Sequence, residues 1–224
     1  MTPPPDASLD LRSIPAPTVS APRTLAPVLL GVYLVWWTVL AIEPVDRLIW
    51  VFENLLVVAG LPVVVFTYRR FTFSGPSYVA MFAFLMVHAL GAHYGYTKVP
   101  IPWEEWGFAR NHSDRVVHFL FGSLAAVPVR ELLRRLAGIQ GRWLDGLTVA
   151  CVFALAAGFE VVEWLAVVVG GELAGPQEGG YLGTQGDAFD AVKDMALGLA
   201  GATTSVVAMA VRVAGRPGDR SRVE

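Results

Sequence analysis

Cysteine is nearly missing from this 224-residue chain. The single Cys151 lies inside an apolar run, so no intramolecular disulfide and no cysteine-based metal cage can form within one chain. Charge is scarce too. Asp, Glu, Lys and Arg make up 16% of the residues, against about 25% in soluble domains. The net charge is −2, which leaves no basic surface for nucleic acid. No His-Glu-x-x-His signature and no internal repeat is present. The shortage of cysteine excludes a disulfide scaffold and a cysteine-based metal site within one chain.

What is abundant is apolar sequence, at 54% of the residues, with a mean hydropathy of +0.53. Such a balance belongs to a polytopic membrane protein, and the length suits one bundle. A spanning helix needs about 20 predominantly apolar residues. Six stretches meet or approach that length: 25–42, 48–68, 78–94, 116–133, 147–169 and 191–213. The fold expected is all-α, a bundle of about six transmembrane helices in one domain over 25–213. Residues 1–24 are rich in Pro, Ser and Ala and are expected to form a disordered tail, not a secretory signal. Residues 214–224 read as a second, basic tail. With the N-terminus inside, twelve of the 17 Lys and Arg residues fall on the cytoplasmic side and five on the other. The positive-inside rule therefore places both termini in the cytoplasm.

This topology gathers the unusual polar residues in the outer half. His88 and His93 end the third span, and Asp114 and His118 begin the fourth. On the fifth, Glu163 lies about 10 Å and Glu160 about 15 Å below the outer boundary at a rise of 1.5 Å per residue. Glu53 and Asn54 sit about a turn inside the second span, and His112 lies in the outer loop. Helical spacing pairs Asp114 with His118 and Glu160 with Glu163, and it aligns Asp187, Asp190 and Asp194 as one stripe if all three are helical. An ionised side chain facing lipid at the bilayer centre costs about 2.5–3.5 kcal/mol. These faces are therefore expected to turn inward, with Asp190 and Asp194 in the bundle and Asp187 at its mouth.

Imidazole and carboxylate together suit a divalent metal such as zinc, iron or manganese. His88, Asp114, His118, Asp187, Asp190 and Asp194 are the candidate ligands, and Glu160 and Glu163 the candidate general base and acid. Arg115, Tyr181 and Gln185 are placed to contact substrate. The chemistry expected is hydrolysis or group transfer on a lipid or envelope precursor. Three other readings stay open: a proton- or ion-coupled transporter, a haem protein using His88 and His118, and a structural module locked by its polar cluster. Plain structural roles stand beside each site role, with Asp187 and Asp190 as helix-start acids, Asp114 paired with Arg115, and His93 as a packing residue.

The segments HALGAHYGYTKVP, RNHSDRVVHFLFG, GFEVVEW and YLGTQGDAFDAVKDM, in this order, resemble the YjdF-type family of bacterial inner-membrane proteins, from about Leu25 to Val211. A more distant similarity is to VanZ-like membrane proteins. These also join an Asp-x-x-x-His helix start, here Asp114 and His118, to an acid in a later helix, here Glu160 or Glu163, and to an Asp-rich start of the last helix. The His-containing third span and the GTQGD turn depart from the VanZ pattern. The resemblance implies a multi-pass protein of the cytoplasmic membrane and brings no reaction with it.

Overall fold

The computed structural model describes residues 21–174, 185 and 187–214. Within them the chain forms seven helices in the order α1 Leu25–Leu40, α2 Arg47–Glu53, α3 Leu55–Thr67, α4 Gly75–Tyr94, α5 Ser113–Leu136, α6 Gly141–Ala174 and α7 Asp190–Ala214. Five segments are long and apolar enough to cross a membrane, one of them α2 and α3 together, and α1 is a shorter apolar helix. The architecture is an all-α polytopic bundle. The terminal tails expected over 1–24 and 214–224 lie almost wholly outside the described residues.

The helices depart from the sequence reading mainly at their ends. α5 runs on past Leu133, and α6 starts at Gly141, because a helix continues happily into water where charged side chains such as Arg142 and Asp145 are solvated. The second span breaks at Asn54, whose amide donates to the Trp50 carbonyl at 2.7 Å and accepts from the Trp37 indole at 2.5 Å. α2 starts where Asp46 accepts from the backbone amides of Leu48 and Ile49. α4 ends at Gly95, held in the left-handed region at φ 59°.

α5 is the hub: α4, α6 and α7 all pack on it, and its contact with α7 is the most extensive in the molecule. A core of Ala126, Val152, Ala202 and Val206 fills the space between α5, α6 and α7. α1 packs on α4 through Tyr33, Leu40 and Ala89. α3 has no buried residue at all.

At the cytoplasmic end a polar lock ties α4 to α5. The Glu131 carboxylate accepts from the Ser74 amide at 3.0 Å, the Ser74 hydroxyl at 2.7 Å and the Ser77 hydroxyl at 2.5 Å. Arg135, one turn on, donates to Glu131 at 2.5 Å and to the Thr72 carbonyl at 2.7 Å, and lies over the Phe71 ring.

Candidate metal and acid cluster

The outer cluster is built by close helix approach. A Cβ added at Gly122 would overlap the Gly198 carbonyl, and one at Gly201 would overlap the Phe119 carbonyl. Only glycine lets α5 and α7 touch backbone to backbone, the small-residue packing that membrane helices favour. His118 lies one turn outward of Gly122, and Asp194 one turn outward of Gly198. The crossing therefore drives these two side chains together. α5 begins at Ser113, so Asp114 shares the His118 face as its spacing predicts. Asp114, His118 and Asp194 each bring one ligand atom into a group whose members lie within 4.8 Å of one another, and all three residues are buried.

Around this trio stand further acids. His118 Nε2 is 3.4 Å from Asp114 Oδ1 and 3.4 Å from Glu160 Oε1. Glu163, three residues on from Glu160 in α6, shares its helix face. Glu53, 3% exposed at the end of α2, lies within electrostatic reach of Asp114, His118, Glu160 and Glu163. Sequence reasoning placed Glu53 in the outer half but left it out of the site. Its signal was the same as that of Glu160: an acid a full turn inside an apolar run.

Three buried carboxylate oxygens of this cluster, Glu53 Oε2, Glu160 Oε1 and Asp194 Oδ1, have no hydrogen-bond partner. The Glu160 oxygen approaches His118 but is not aligned for a bond. Leaving a buried polar group unpaired costs about 1–3 kcal/mol, more if charged. An unpaired oxygen on Asp194 within the group and one on Glu160 beside His118 are what a cation or a set of protons would satisfy.

The other expected ligands are engaged elsewhere. Asp190 takes a two-point ion pair from Arg110 at 2.7 and 3.2 Å and a contact from Arg115 at 3.3 Å. Asp187 pairs with Arg115 at 2.7 Å and with Lys193 at 2.5 Å. α7 starts at Asp190, so Asp187 precedes the helix and the stripe is Asp190 and Asp194 alone. Both are 2% exposed and face inward, while Asp187 sits part-exposed at the mouth. Gln185 exchanges two hydrogen bonds with the Asn111 backbone, at 3.0 and 2.9 Å. Arg110, Asn111 and Arg115 thus clasp Gln185, Asp187 and Asp190, tying the start of α5 and the loop before it to the start of α7 and the residues before it. Lys193, with the Phe189 amide and Arg115, holds the Asp187 carboxyl down at about 2. His112, beside this clasp, has its pKa lowered by burial and by the Arg115 and Arg110 charges.

His88 spends both ring nitrogens on structure. Nε2 donates to the Glu53 carbonyl at 3.1 Å, which leaves Nδ1 to accept from the Tyr96 hydroxyl at 2.6 Å. A haem iron would have to displace one of these bonds. His93 meets the Leu40 carbonyl at 2.8 Å. Tyr181 lies outside the described residues.

Residues 25–215 match the family described as "Predicted membrane protein (DUF2238)". The chain belongs to this family. It is also 34% identical over 196 residues to Inner membrane protein YjdF of Escherichia coli (strain K12), covering 84% of this chain and 92% of that protein. No solved structure matches it. The protein is therefore a multi-pass protein of the bacterial inner membrane, with the bilayer as its surroundings.

Proposed function

We propose that this protein is a divalent-cation-dependent hydrolase or transferase that works on a lipid or envelope precursor from the outer half of the membrane. The observation that carries the reading is the convergence of Asp114, His118 and Asp194 within 4.8 Å, with an unpartnered Asp194 oxygen among them. Three protein ligands with a fourth position open is the arrangement of catalytic zinc sites, whereas structural sites close all four. A cation there would acidify a bound water. Glu160, whose Oε1 lies 3.4 Å from His118 Nε2, would take that proton. The oxygen would then attack a carbonyl or phosphoryl centre, and the proton would pass from Glu160 to the leaving oxygen as its bond breaks. Glu163, on the same face of α6, would help to hold Glu160 in place. Asp187, Asp190, Arg115 and Gln185 act one step removed, by clasping the mouth. In the transfer variant an acceptor hydroxyl takes the place of water.

A second reading, proton-coupled transport, is favoured by the buried acids gathered around His118, the residue types that proton relays use. Elemental analysis of detergent-purified wild type, His118→Ala and Asp194→Ala separates the two. About one metal per chain, lost in both variants, supports the cation-dependent enzyme. Folded wild type free of metal overturns it and leaves the relay.

A further inference from the structure

A cavity of about 630 Å³ opens between α1, α3, α4, α5 and α6. Leu29, Leu61, Leu85, Phe121 and Phe159 supply much of its wall, and His118 closes one end. Protein interiors are close-packed, and a space of this size is far larger than the few voids a folded chain leaves. Water is a poor filling, because each buried water needs two to four polar partners and these walls are overwhelmingly apolar. The size falls within the roughly 300–1,000 Å³ of small-molecule sites.

The α3 wall shows where a filling would enter. The span that includes α3 is 11% buried, less than any of the other four, and α3 itself has no buried residue. Bilayer lipid therefore reaches this wall from outside, and acyl chains are the apolar material that a membrane supplies in excess. His118 belongs both to the cavity wall and to the ligand group.

We infer that this cavity holds an acyl chain of a membrane phospholipid, entering past α3, with the lipid's polar linkage brought up to His118. The chain site rests on the cavity. Its role in placing a substrate rests on the hydrolase reading above.

The test uses the full chain in vesicles of phosphatidylethanolamine and phosphatidylglycerol, with a trace of phosphatidylglycerol carrying a photoreactive diazirine on one acyl chain. After illumination, adducts are mapped by mass spectrometry. Adducts on Leu29, Leu61 and Phe121 are expected, beside the unavoidable ones on outward residues such as Val35 and Val58, which are 67% and 61% exposed. Gly60 lines the cavity, and a Cβ there meets nothing within 4 Å. Gly60→Leu should therefore fill the space without a clash, reduce the cavity adducts several-fold and spare those on Val35. Gly60→Ala should leave both sets in place.

Adducts confined to outward residues in the wild type would overturn the inference, whatever the variants do. So would cavity adducts abolished by a small excess of a polyprenyl phosphate, which would assign the space to a different lipid. Metal content and adducts of the wild type, read together, separate the two proposals. Cavity adducts in folded wild type that carries no metal keep the chain site and sink the hydrolase. Bound metal without cavity adducts does the reverse.

Discussion

Two buried clusters of charge sit in this bundle, and they are built on opposite plans. At the cytoplasmic end Glu131 has a partner for each oxygen: the Ser74 amide, two hydroxyls and Arg135. In the outer half, five acids surround one histidine, and three of their oxygens point at nothing. The first plan meets every desolvation cost with a hydrogen bond and a counter-charge. The second leaves the cost standing. Unsatisfied buried groups call for an explanation, and a task at the second cluster would supply one.

The contrast breaks most visibly if single members are removed. Glu131→Ala removes the counter-charge of the buried Arg135 and should cost about 3–5 kcal/mol of stability, the loss typical of a broken buried pair. Unfolding in mixed micelles measures it. Asp194→Asn in protein stripped of metal should behave oppositely, with stability unchanged or raised, because it removes one of several crowded acids. A large loss there would make the outer cluster a structural lock as well.

Next in size is the crossing that assembles the outer cluster. Gly122→Ala pushes a methyl into the Gly198 carbonyl and should cost about 1–3 kcal/mol, as overpacking does. Gly31→Ala, where a Cβ meets nothing within 4 Å, should stabilise by about 0.4–1 kcal/mol. Equal effects at the two sites would mean that the α5–α7 backbone contact is not tight.

Cation affinity sharpens the comparison further. Asp194→Asn should weaken binding by more than about 100-fold, and Glu160→Gln, acting through His118 and the bound water, by about 10–100-fold. Glu131→Gln, in protein that remains folded, should leave affinity untouched. Isothermal titration with zinc reads all three.

The smallest effect belongs to the clasp. The Asp187 carboxyl is held at about 2, below its ordinary value, so its contribution is fully present above pH 4 and fades as pH falls toward 2. Asp187→Asn should therefore lower the melting temperature by at most a few degrees at pH 6, and the gap from wild type should close as the pH approaches 2. A gap that widens on acidification would reverse the sign and refute the assignment.

Much of this was legible in the sequence. Asp114-x-x-x-His118-x-x-x-Gly122 on α5 and Asp190-x-x-x-Asp194-x-x-x-Gly198 on α7 are two matched rows, and helical period alone puts each row on one face. Depth singled out Glu160 as readily. The partners of Asp187 and Asp190 were not legible, because Arg110 and Asp187 lie in irregular segments that no period describes and Arg115 reaches them from another helix. Glu53 was underweighted because the apolar run on its far side hides the break at Asn54. The double anchoring of His88 needed the fold, since Tyr96 and the Glu53 carbonyl reach it from two other segments.

The glycine contact between α5 and α7 also sets an order of events. Asp114, His118 and Glu160 lie on helices that precede α7 in the chain, and Asp194 rides on α7. Until α7 docks, the groups waiting for it border an open gap that water and protons can reach. The acid that completes the cluster thus arrives when its partners have already been made.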